Sequence, residues 1–183
     1  MSCSRRLREA NIFGRRTDIF DRAIGSDEIT LDDIADMPIM AAYHYWNDRR
    51  GEDFAPPRKS FHLEELPPRL IPYMAMVDFV GPPLDFYYRF FGSAMAEVSG
   101  RELTGKTYYA DKIEGYGFVN ARLFPILIER KTPMVHRTTW ESVRGIRLVT
   151  ATLRLPLSTD GINVDGAVTA NSYEFDRTSV RPA

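Results

Sequence analysis

Three histidines, His44, His62 and His136, are the side chains best placed by type for proton or metal chemistry near neutral pH. No two of them stand at i, i+4 or another zinc-ligand spacing, so the sequence assigns no metal site. The single cysteine, Cys3, lies at the N-terminal end. It has no partner for an intramolecular disulfide and is poorly placed to act as a nucleophile beside a histidine. Neither a phosphate-cradling glycine loop, a G-x-S-x-G elbow nor an H-E-x-x-H pair occurs. The expectation is binding rather than catalysis, with no catalytic residue assigned.

His136 is the titratable residue of most interest. It falls on a predicted strand and shares a face with Met134, Thr138 and Trp140. If that face looks inward, the imidazole could hold a ligand carboxylate or a haem iron. If it looks outward, His136 belongs to the outer or dimer face of the sheet, and that is the preferred reading. Tyr88, Phe90, Met95, Phe118 and Trp140 describe an apolar wall, with Arg122, His136 and Asn171 available to fix a polar end. Each of the aromatic residues also reads as core filling. Arg89 reads as an anion anchor or, preferentially, as an exposed sheet residue or one half of a fixed ion pair. No cysteine lies mid-chain where flavin photochemistry of the familiar kind needs one, and no cofactor is assigned.

Composition narrows the classes. Of the 183 residues, 44% are hydrophobic and 27% charged, which is ordinary for a globular chain. A net charge of −1 argues against a general nucleic-acid binder. Arg5-Arg6 is followed by Glu9, Asn11, Asp18 and Asp21 rather than an apolar segment, so it fails as an export signal. No apolar run approaches the ~20 residues that span a bilayer. The expected location is the cytoplasm.

The elements that must position these residues follow from periodicity and breakers. Residues 1–30 read as a flexible arm, 31–176 as one domain with an N-terminal helical cap, and 177–183 as a tail. Thr30 and Asp33 form a helix-start signal. A helix over 37–50 places Ile39, Tyr43 and Trp46 on one stripe, and Gly51 ends it. A short second helix is expected over 63–70. Antiparallel strands are expected near 73–80, 85–92, 133–143, 146–158 and 164–175, with Phe86, Tyr88 and Phe90 on one face. Helices over 93–98 and 117–130 separate the second strand from the third, and Pro125 falls within the longer one. Runs of strands and runs of helices give an α+β class with an antiparallel sheet.

A hairpin, a helical middle and a closing three-stranded meander is the PAS order. The chain resembles a family of small PAS-like domains common in alphaproteobacteria. The resemblance rests on Tyr45-Trp46, Pro67-Pro68-Arg69-Leu70-Ile71-Pro72, Tyr88-Arg89-Phe90-Phe91-Gly92, Gly100-Arg101-Glu102-Leu103-Thr104-Gly105 and Leu155-Pro156-Leu157-Ser158-Thr159-Asp160-Gly161. It covers roughly Tyr43 to Phe175. The resemblance implies a five-stranded antiparallel sheet with a helical segment between its second and third strands. It also implies a stand-alone sensory or interaction domain that signals by binding a partner protein, with or without a small apolar or amphipathic ligand. Ile39, Tyr43 and Trp46 are the expected homodimer contact, since isologous dimers are the commonest oligomers; the same stripe could equally pack on its own sheet. The rival readings are a small cone-shaped α+β enzyme resembling ketosteroid isomerase and a ligand-free adaptor.

Overall fold

Apolar residues at every second position from Leu153 to Leu157, with Leu148 and Ala151 before them, build the longest interior strand. In the computed structural model, residues 19–20, 22–108 and 115–176 are described, with backbone alone for 115–118 and 176. The order is β1 (Arg22–Ile29), α1 (Met40–Arg50), β2 (Met74–Val80), β3 (Asp85–Phe91), α2 (Ser93–Ser99), β4 (Lys106–Tyr108), α3 (Gly115–Arg130), β5 (Met134–Glu141), β6 (Arg147–Leu157) and β7 (Gly166–Asp176). All seven strands join one antiparallel sheet in the order β1-β5-β6-β7-β2-β3-β4.

The five expected strands are present and antiparallel, with the helical block between the second and third of them. Two edge strands extend the sheet beyond the expected five. β1 comes from the segment read as a flexible arm and pairs with β5 from Arg22↔Glu141 to Ile29↔Val135. It is almost wholly exposed, so its side chains carry no apolar alternation to detect. β4 is three residues long, too short to show a period. Phe20, in the same segment, is also buried, and its N–H donates to the Val98 carbonyl at 3.0 Å; residues 1–18, residue 21 and the tail over 177–183 lie outside the described residues.

Between α1 and β2 the chain makes short 3-10 turns at Arg58–Ser60, Leu63–Glu65 and Ile71–Tyr73 rather than the helix expected over 63–70. Pro67 and Pro68 explain the difference. Leu66, before the first proline, is forced to extended dihedrals (φ −86°, ψ 159°), which ends the turn. The Thr30–Asp33 signal is a real capping contact. Thr30 donates its backbone N–H and its hydroxyl to Asp33 Oδ2 at 2.8 and 2.7 Å, and Asp33 N–H returns to Thr30 Oγ1 at 3.3 Å. Those bonds hold the Asp33 carboxyl below the usual range. The contact opens a 3-10 turn at Asp32–Ile34, and α1 starts later, at Met40. Gly92 is required after β3, because a Cβ there would meet the Pro72 carbonyl oxygen at 2.2 Å.

Both faces of the sheet are covered. On one, the cap face, α1 and the turns pack Ile34, Ile39, Ala42, Trp46, Phe61, Leu66 and Leu70 onto Met74, Leu153, Leu155, Leu157 and Val168. On the other, the helix face, α2 and α3 pack Met95, Phe124 and Leu127 onto Ala75, Val77, Phe86, Tyr88 and Ala167. Ile39 and Trp46, expected at a dimer contact, are buried within this chain's own core, and Trp46 Nε1 donates to the Pro156 carbonyl at 2.7 Å. Tyr43 is half-buried and stacks on Trp46, with ring centroids 6.2 Å apart.

Trp46→Ala is expected to cost ~3–5 kcal/mol, because it opens a core cavity and strips the Pro156 carbonyl of its donor. Urea unfolding followed by circular dichroism reads this directly. A variant of wild-type stability that has merely become monomeric would instead place Trp46 between subunits.

Candidate functional site

The register of the sheet decides which expected pocket residues share a face. β2 pairs with β3 as Met76↔Phe90 and then Val77↔Tyr88, so Arg89 is an inserted bulge residue. The bulge breaks strict alternation. Phe86, Tyr88 and Phe91 pack on the helix face, whereas Phe90 packs against the cap-face core. The expectation that Phe90 lines one wall with Phe86 and Tyr88 is therefore corrected.

Beneath α3, the helix face divides into an apolar end and a polar stripe. At the apolar end, Phe79, Phe86 and Phe124 fill the space, with Phe79–Phe124 and Phe86–Phe124 centroids both 5.0 Å apart. The stripe begins at Tyr88, whose hydroxyl accepts from Asn120 Nδ2 at 2.8 Å. Asn120 Oδ1 in turn accepts from Arg154 Nη2 at 3.4 Å. Arg154 is only 3% exposed. Its strand partner is Met134, which places it diagonally beside His136 across the β5–β6 pair.

His136 is 6% exposed, on the inward-looking face, and its buried Nδ1 has no hydrogen-bond partner among the described residues. Burial is the main cause that lowers its pKa from 6.5 to about 4, and the Arg154 guanidinium adds to it. Glu28 opposes the shift from β1 and is itself held by Arg130 at 2.5 Å. The ring is thus neutral at pH 7. Next to it, Thr152 donates its hydroxyl to Asn171 Oδ1 at 2.7 Å. Asn171 Nδ2 then donates to the Tyr73 carbonyl at 3.0 Å and lies 3.4 Å from Met95 Sδ.

The structure therefore brings Tyr88, Met95, His136 and Asn171 to one buried layer. Trp140 is on the same face but further along, in a separate apolar cluster, and its Nε1 donates to Thr150 Oγ1 at 3.0 Å. Arg122 lies on the exposed side of α3. The Phe118 side chain lies outside the described residues. Asn120, Thr152 and Arg154 were missed by sequence reasoning. A signal for Thr152 and Arg154 was present, since Thr150, Thr152 and Arg154 alternate with Val149, Ala151, Leu153 and Leu155 along β6. Such alternation normally marks a solvent face, and only the position of β6 inside the sheet makes it a buried one.

On the cap face, Arg89 is held as a fixed ion pair, with Nε 2.5 Å from Asp78 Oδ2. Asp78 Oδ1 takes Arg58 Nη1 at 2.6 Å, so one largely buried carboxylate clasps two guanidinium groups. Past β6, Asp160 accepts from the backbone N–H groups of Ile162 and Asn163 and from the Asn163 side chain. These bonds lower its pKa well below the usual carboxylate range and fix the turn.

Among the described residues no group of three or more His, Cys, Asp or Glu could hold a metal ion, and no helix is long and apolar enough to cross a membrane. No family model, curated protein or solved structure matches the chain.

His136 should titrate near pH 4 in proton NMR of its ring. The unfolded chain binds its proton at about 6.5, above the folded value, so the unfolded state carries more protons between the two. Stability from this residue is complete above about 6.5 and is lost as pH falls towards 4. His136→Gln should remove that part of the pH dependence of the urea midpoint. An ordinary histidine titration near 6.5 would show that the ring is hydrated.

Proposed function

We propose that this chain is a PAS-like sensory or interaction domain that binds a small molecule on the helix face of its sheet and passes the bound state to a partner protein. The observation that carries the reading is His136. Its buried Nδ1, without a hydrogen-bond partner among the described residues, sits beside the buried Arg154 guanidinium on the face that α3 covers. A buried polar atom without a partner costs about 1–3 kcal/mol, and a ligand that supplies the partner recovers it. Nothing in the apolar packing of that face asks for an imidazole there.

The topology supports the PAS reading. β5, β6 and β7 form a meander, and β7 pairs with β2 to close the hairpin strands into the same sheet. Helices α2 and α3 fall between hairpin and meander and cover the face that carries His136. Tyr88, Met95, His136 and Asn171 would contact the ligand, with Asn120 and Arg154 fixing its polar end. Ligand occupancy would be read out through α3, which packs over the stripe and reaches β1 through the Arg130–Glu28 pair.

Native mass spectrometry of the full chain purified from its own host tests this. The wild type is expected to retain a small molecule that leaves on denaturation. Ala167 is fully buried on the helix face, so Ala167→Phe should abolish the extra mass while circular dichroism stays native. A wild type without extra mass, together with an Ala167→Phe variant destabilised by ~1–3 kcal/mol, would mean a filled core and an adaptor instead.

A further inference from the structure

The cap face carries a second feature, unconnected with the His136 layer. Between the Arg58–Ser60 turn and the bulge in β3 lies a cleft of about 280 Å³, lined by Pro57, Arg58, Lys59, Met76, Arg89 and Thr159. Its construction can be followed from the sequence. Tyr88 pairs with Val77 on the helix face, so alternation turns both Arg89 and Asp78 to the cap side, and the bulge leaves Arg89 without a partner residue opposite it on β2. Gly166 lies opposite Asp78 on β7. A Cβ at that position would meet the Val77 carbonyl oxygen at 2.8 Å and Arg58 Cδ at 3.2 Å, so the glycine lets β2 and the Arg58 side chain lie close to β7. Arg58 then spends Nη1 on Asp78 and Nε on Thr159 Oγ1 at 3.2 Å, and Asp165 Oδ1 stands 3.5 Å from Nε as an ion pair without a hydrogen bond. Arg89 spends Nε on Asp78.

The remaining donors are unspent among the described residues. Arg89 keeps both Nη groups, Arg58 keeps Nη2, and exposed Lys59 forms no ion pair. The cluster holds the three cations Arg58, Lys59 and Arg89 against the two carboxylates Asp78 and Asp165. One positive charge is left over, and the guanidinium groups cannot swing away because Asp78 holds them. Met76 and Pro57 add an apolar surface between the cations.

We propose that this cleft binds a small organic monoanion, a carboxylate with a flat or short apolar body. The carboxylate accepts from the Arg89 Nη groups and Lys59 Nζ, and the body lies on Met76 and Pro57. A single negative charge matches the excess, and a preorganised guanidinium fork is the donor best shaped for a carboxylate. The volume takes one ring or a short chain.

The probe is sodium benzoate, titrated into the full chain and followed by amide, Arg Nε–H and methionine methyl NMR. Saturable shifts are expected at Lys59, Met76, Arg89 and Thr159. Lys59→Gln, at an exposed site that leaves the fold intact, should weaken the affinity about 5-fold, as expected for one partly exposed charge contact. Benzyl alcohol, which lacks the charge, and inorganic phosphate, which lacks the apolar body, should each bind more weakly than benzoate. No saturable shift, equal binding of either comparison compound, or an unchanged affinity in Lys59→Gln would overturn the proposal. Shifts confined to the layer around His136 would overturn it too, since the benzoate would then have chosen the other face.

Discussion

Strand β6 has both faces out of water along almost its whole length, and the rest of the fold answers to that constraint. A strand in this position cannot leave one side to solvent, so each side needs a cover of its own. The N-terminal cap supplies one, with Trp46 tied to the β6 backbone at Pro156. Helices α2 and α3 supply the other. The edge strands β1 and β4 then take the exposed positions at either end of the sheet.

The two covers differ in chemistry. The centre of the cap face is apolar, and its ionic groups gather at the rim around Asp78, where solvent reaches the two arginines. The helix face carries a guanidinium, an imidazole and two amides in its interior. Burying such groups is costly, and apolar side chains of the same volume would often serve stability as well or better. In the proposed function, the polar stripe is what the helix face keeps for a ligand, and the cap face supplies stability. That division also explains why His136 remains neutral: the same burial that makes its free nitrogen costly suppresses its charge.

Strands were legible because apolar residues alternate along them, and the α+β class followed from their grouping. Face assignments failed where alternation failed, at the Arg89 bulge that sends Phe90 to the cap side. No residue type marks that insertion; it emerges only from the pairing of β2 with β3. Leu63 to Leu70 has apolar spacing that fits a helix, but Pro67 and Pro68 overrule it. Arg154 was hidden for another reason. A polar residue at every second strand position usually faces water, and its burial depends on α3, far away in sequence. The alternation that revealed β6 could not reveal what lay over it.

The asymmetry of the two faces is open to one direct measurement: amide hydrogen exchange on protein as purified from its host, compared with the same protein after unfolding, dialysis and refolding to strip it of the small molecule proposed above. The account predicts faster exchange in the stripped protein across α3, β5 and the neighbouring part of β6, with α1 and the cap turns unchanged. Exchange that is the same in both preparations, or that changes mainly in the cap, would contradict it.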